Sequence, residues 1–162
     1  MRSLITTGLG LALLTGTTLV AQAANSPLMV WQGSITVTSA TAQCSTAGIG
    51  EGDLLTSVYR PRLQPDEPNS ALTVITGRSA QVFFRSTGND QMRGKGNFSA
   101  FAIGSRGTLT SGFDGAYNFT VKPPAGAVTE TTKAINISGS LTNYFNVAGC
   151  TVKFVGAYEK RP

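Results

Sequence analysis

Two cysteines set the frame for this chain. Cys44 and Cys150 stand 106 positions apart. Cys150 heads the segment Gly149-Cys150-Thr151-Val152-Lys153-Phe154-Val155-Gly156-Ala157-Tyr158, in which apolar residues alternate with small or polar ones, the pattern of a strand with one buried face. Cys44 follows a stretch in which Trp31, Gly33, Ile35 and Val37 fall on one face and Gln32, Ser34, Thr36 and Thr38 on the other. A bond between the two would tie the first strand to the last, antiparallel if they are neighbours. In a chain-entropy model a loop of this size contributes about 4 to 5 kcal/mol. Two free thiols or an intermolecular bond are the alternatives, and an oxidising compartment favours the single internal bond.

The N-terminus supplies that compartment. Arg2 gives a short positive region, Leu9 to Val20 is apolar and broken only by Thr and Gly, and Ala21-Gln22-Ala23 has the small-x-small form of a cleavage site. Residues 1–23 are therefore expected to be a signal peptide and 24–162 a single domain in the secreted or periplasmic space. A membrane anchor would need about 18 to 25 uninterrupted apolar residues. Loss of Arg2 lowers the net charge from +5 to +4, a value that bears on solubility more than on fold.

The rest of the chain reads as strands between turns. Leu54 to Tyr59 is a second strand closed by Arg60-Pro61-Arg62. Ala71 to Thr76 and Gln81 to Ser86 form a hairpin around Gly77-Arg78-Ser79. Asn97 to Ile103 is a fifth strand. Tyr117, Phe119 and Val121 mark a sixth that ends at Pro123-Pro124, and Ile135, Ile137, Gly139 and Leu141 a seventh. Tyr144 to Ala148 breaks phase before the last strand. No segment keeps a 3.6-residue apolar period, so the expected fold is all-β: one antiparallel domain of seven or eight strands, a small barrel or a sandwich, with first and last strands linked. Pairing Cys44 with Cys150 sets even positions opposite even ones, whereas the inward residues of the first strand are odd and those of the last even. A one-residue bulge between Thr38 and Cys44 would resolve this.

The composition narrows the chemistry. The chain has no histidine, which excludes Ser-His-Asp and Cys-His catalysis and removes the commonest zinc, copper and iron ligand. No metal or other cofactor is expected. Gly48-Ile49-Gly50-Glu51-Gly52 lacks the strand before it and the helix after it that a dinucleotide loop requires. Glu51 and Asp53 are the one carboxylate pair that could be read as a glycosidase acid and base, and alternate loop carboxylates are ordinarily solvated. The best positive feature is Arg85, Arg93, Lys95 and Arg106 interleaved with Phe83, Phe84, Phe98 and Phe101, an anion-binding candidate for an anionic envelope component or polysaccharide. Export argues against nucleic acid. The outward strand positions read as Asn, Thr, Ser and Lys, against a membrane-spanning barrel.

The run Gly33 to Thr38 leading to Cys44, with Val152-x-Phe154 and Tyr158 near the end, is similar to fimbrial subunits of the chaperone-usher type. That resemblance implies an incomplete immunoglobulin-like sandwich completed by a neighbour's strand. In those subunits the second cysteine normally follows the first within a few tens of residues, whereas Cys150 is near the end of this chain. The expected function is thus an exported, non-enzymatic β-domain that binds a ligand or surface component, with a fimbrial-like assembling subunit and a carboxylate-dependent hydrolase as the alternatives.

Overall fold

The computed structural model describes residues 29–77, 79–86, 91–104, 107–109, 112–122 and 127–162. The expected signal peptide and the Pro123-Pro124 stop lie outside these. Eight strands follow one another around a closed antiparallel barrel: β1 (Trp31–Ala40), β2 (Leu54–Arg60), β3 (Ala71–Thr76), β4 (Ser79–Arg85), β5 (Gly94–Ile103), β6 (Phe113–Lys122), β7 (Ala134–Thr142) and β8 (Thr151–Lys160). Each pairs with its sequence neighbours, and β8 returns to β1. Closure satisfies every edge. The open sandwich awaiting a donated strand, which the fimbrial resemblance implied, is therefore not this fold. Among the described residues no helix is long and apolar enough to cross a membrane.

The alternation in the sequence becomes inside and outside. Trp31, Ile35 and Val37 of β1, Tyr117, Phe119 and Val121 of β6, and Val152, Phe154 and Tyr158 of β8 are buried in one continuous core. The odd face of β1 meets the even face of β8 through pairs such as Val37 with Phe154. The register then shifts at Thr38, so that Ser39 faces Lys153. The expected irregularity is thus present, at the first residue of the interval that parity allowed.

So many rings fit in an eight-stranded barrel because glycines stand beside them. Phe119 and Phe154 flank Gly139 on either side, and their rings meet at 5.5 Å and 76°. Gly33 is paired with Tyr158, and a Cβ there would lie 1.8 Å from the Ala157 carbonyl oxygen. Alternating large and small inward residues is how a small barrel fills its interior without strain.

The Cys44–Cys150 bond is formed, with Cα atoms 4.7 Å apart and both residues fully buried. Cys44 does not sit on a strand. It lies in a 3-10 helix, Ala42–Ala47, that caps one end of the barrel, and a second short helix, Tyr144–Asn146, crosses the same end. Neither was visible in the sequence, since such short turns have no periodic signature. Thr41 stitches the seam just below the bond: its hydroxyl donates to the Gly149 carbonyl at 2.8 Å and accepts from the Thr151 amide at 3.0 Å. Structural disulfides form and persist chiefly in oxidising environments.

Tyr158 is the most telling ionisable group inside. Its hydroxyl donates to Ser57 Oγ at 3.0 Å, which donates in turn to the Thr73 carbonyl at 2.9 Å. Burial pushes the Tyr158 hydroxyl up to about 12, against the opposing effect of the Ser57 hydrogen bond. Burial also raises Tyr144, reinforced by Asp53. An acid whose folded pKa lies above its unfolded value stabilises the fold below the unfolded pKa, near 10, and loses that stabilisation as pH rises through the folded one. Tyr158 alone should account for a loss of about 2 to 3 kcal/mol between pH 10 and 12. Tyrosinate absorbance at high pH should therefore appear together with loss of the barrel's circular dichroism, and Tyr158→Phe should move that alkaline transition upward. Ionisation at pH 10 with the fold intact would contradict this.

Candidate functional site

In an up-and-down barrel alternate loops emerge at opposite ends, so cations that are close in sequence need not be close in space. The end opposite the disulfide receives the C-termini of β2, β4, β6 and β8 and the N-termini of β1, β3, β5 and β7. It gathers Arg60, Arg62, Arg85, Arg93, Lys95, Lys122, Lys133, Lys160 and Arg161, against Asp66, Glu67, Glu130 and Glu159. Among the described residues the disulfide end carries Glu51, Asp53 and Asp114 with Lys153, and the other end carries the larger excess of positive charge.

Of the four cations expected to form one anion site, Arg85, Arg93 and Lys95 share the basic end. Arg93 and Lys95 are exposed at the start of β5 and belong to the basic end. Arg85 is on the inward face of β4, half-buried, and donates to the Tyr117 hydroxyl at 2.8 Å. Arg106 lies outside the described residues, in the stretch between β5 and β6. Of the aromatic residues, Phe83 and Phe98 are core and meet edge to face at 5.0 Å, whereas Phe84 and Phe101 pair on the outer surface.

What the sequence did not bring together is the companion of Arg93. The outer wall of β6, β7, β8 and β1 forms a groove of about 1260 Å³, with Arg93 and Lys122 at one side and Gln32 and Glu159 at the other. Ser34, Thr120 and Asn136 present hydroxyl and amide groups along it. Arg161 crosses its rim, its Nε donating to Gln32 Oε1 at 2.6 Å. A second cleft, lined by Lys95, Asn97, Asn118 and Ser140 among others, lies on the outer wall of β5 to β7, and a third on the rim at Lys133 and Arg161. All three clefts are on the outside. Lys122, Lys133 and Arg161 were missed because they are far apart in sequence. The usable signal was that each terminates or precedes a strand at the same end.

The loops over the basic end are held in place. The Gln91 side chain donates to the Val128 carbonyl at 2.8 Å and accepts from its amide at 2.7 Å, joining the β4–β5 and β6–β7 connections, and Tyr59 donates to the Gln91 carbonyl. Trp31 Nε1 donates to the Thr132 carbonyl at 3.1 Å. Burial lowers the Arg60 guanidinium from its usual value, with Glu67 acting in the opposite direction. Its NH2 group donates to the Asn69 carbonyl at 2.6 Å.

The carboxylate pair lies at the other end. The Asp53 carboxylate accepts from the Gly50 amide at 2.8 Å and so shapes the turn before β2, while Glu51 is exposed. Asp114 accepts from Ser99 Oγ at 2.7 Å. Among the described residues no group of three or more histidine, cysteine or acidic side chains is arranged to hold a metal ion. No protein-family model matches the chain, and no curated protein or solved structure matches it either. The fold and the surface define it as a closed eight-stranded barrel with a basic end and, on its outer wall, a groove that mixes apolar and polar side chains.

Proposed function

We propose that the mature chain is an exported, non-enzymatic barrel that binds an anionic component of the cell envelope, an acidic polysaccharide in the first instance, in the groove beside its basic end. The observation that carries this reading is the juxtaposition of Arg93 and Lys122 with a lane of hydroxyl and amide side chains. Hydroxyl-rich chains with spaced carboxylates call for donors and acceptors along a groove and cations at its side. Rim charges set association and salt dependence more than intrinsic affinity, and a screening length of about 8 Å at physiological salt makes such binding fall as salt rises.

Titration of the mature protein with an oligogalacturonate, followed by calorimetry, tests it. Each exposed rim charge contributes about 1 kcal/mol. Reversing both, Arg93→Glu with Lys122→Glu, should weaken binding by roughly tenfold or more at low salt. Added Lys95→Glu should weaken it further. An affinity unchanged by the double reversal would retire the groove as the site.

A further inference from the structure

We propose that the barrel interior, at its disulfide end, is a binding site for one or two structural water molecules that bridge the Gln81 amide to the Tyr144 hydroxyl. Gln81 is fully buried on β4, and neither its Nε2 nor its Oε1 has a hydrogen-bond partner. The hydroxyl of Tyr144, a residue 1% exposed, has none either. Among the described residues these are the buried side-chain polar atoms left without a partner. Buried polar groups are nearly always hydrogen-bonded, so an orphan amide in an apolar interior calls for a partner from outside the polypeptide.

The fold brings the two side chains together. Gln81 and Phe83 are successive inward residues of β4, and the Phe83 ring stacks on that of Tyr144 at 5.8 Å. Tyr144 enters from the short helix between β7 and β8, across the barrel from β4. Burial raises its hydroxyl and the Asp53 carboxylate adds to this, which sets the hydroxyl toward the start of β2. Gln81 stands on that side, paired with Val74 of β3 and Ala102 of β5, and Ala100 is the next inward residue of β5. These neighbours are apolar and offer the amide no hydrogen bond. A water site needs polar partners and room for the molecule, and short residues beside a long amide supply the room.

The chemistry selects the occupant. The amide and the hydroxyl are neutral, and between them they present both donors and acceptors. Water has two of each, and internal waters ordinarily make about three bonds to buried polar atoms. An ion would lie without a countercharge among Val74, Phe83, Ala100 and Ala102, all buried. Neither Gln81 nor Tyr144 lines any of the three outer clefts, so the guest is small. The turn above it is tied down. The Tyr144 amide donates to the Cys150 carbonyl at 3.1 Å, and the Gly149 amide to Asn143 Oδ1 at 3.3 Å. Asn143, Phe145 and Asn146 hold positive φ there, a conformation that persists only where the surroundings enforce it. Water beneath such a turn exchanges slowly.

Water–protein NOE spectra of the protein should show long-lived water at the Gln81 side-chain amide protons. Magnetic relaxation dispersion should lose at least one long-lived water on Gln81→Met. Stability is the second readout. Gln81→Met and Tyr144→Phe each leave the other group without its bridge, and each should lower the folding constant about five- to tenfold. The double variant, with nothing left to satisfy, should return to within about threefold of the native protein. An amide without long-lived water in the wild-type spectrum overturns the proposal, even where a variant fails to fold. Substitutions whose effects simply add overturn it as well. Coupled effects without a water signal would assign a direct bond between Gln81 and Tyr144, and so overturn it too.

Discussion

Removing the Cys44–Cys150 bond should lower the unfolding free energy of the barrel by about 3 to 5 kcal/mol, the largest single contribution expected from any one linkage in it. For a domain of this size each kcal/mol shifts the midpoint by about 2 to 5 °C, so the thermal transition should fall by roughly 10 to 20 °C. The bond closes a loop that includes most of the barrel, and it lies at the seam where β8 returns to β1, beyond the last ladder pair of Ala40 with Val152. Cys44→Ala combined with Cys150→Ala is the cleaner test, because both sulfurs are buried and slow reduction would blur a direct comparison. Urea unfolding of the double variant beside the native protein measures the difference. Coincident midpoints would mean that the β1–β8 ladder and Thr41 hold the seam unaided.

A comparable effect is expected from a single methyl group. Gly139→Ala places a Cβ 2.1 Å from the Asn118 carbonyl oxygen and 2.7 Å from Cδ1 of Phe119, where neither backbone nor a buried ring can retreat cheaply. Overpacking of a filled core costs about 1 to 3 kcal/mol and occasionally more, and this contact is severe enough to put the expected loss at about 3 kcal/mol. Gly50→Ala is the control. A Cβ there meets nothing within 4 Å, and the backbone is not left-handed, so its effect should be within about 1 kcal/mol of zero and can be favourable. Equal stability of the two variants would remove the argument that inward glycines make room for the rings.

Much of this architecture was legible in the residues. β1, β6 and β7 alternate cleanly because one face is buried and the other solvated, and the mismatch of parity between β1 and β8 was enough to require the bulge now seen at Thr38. The wall of β3 to β5 was not legible, for a physical reason. Leu72-Thr73-Val74-Ile75 and Val82-Phe83-Phe84 are apolar on both faces, and a short continuous apolar run does not tell inside from outside. The 3-10 helix that carries Cys44 was equally silent. At the proposed binding face, Arg93 and Lys95 were picked out by type alone. Their grouping with Arg85 followed sequence proximity, whereas the meander assigns sides and ends by strand parity: Arg85 turns inward to Tyr117, and Lys122 joins Arg93 from a strand away.

The proposed recognition of a ligand on the outside of the barrel is tested most directly by residue-resolved NMR during titration with an oligogalacturonate. Amide shifts should concentrate at Gln32 to Ser34, Arg93 to Lys95, Thr120 to Lys122 and Asn136, while the methyl signals of the interior residues Val74, Ile137 and Leu141 stay where they are. Movement of those interior methyls, with the groove amides unchanged, would contradict it.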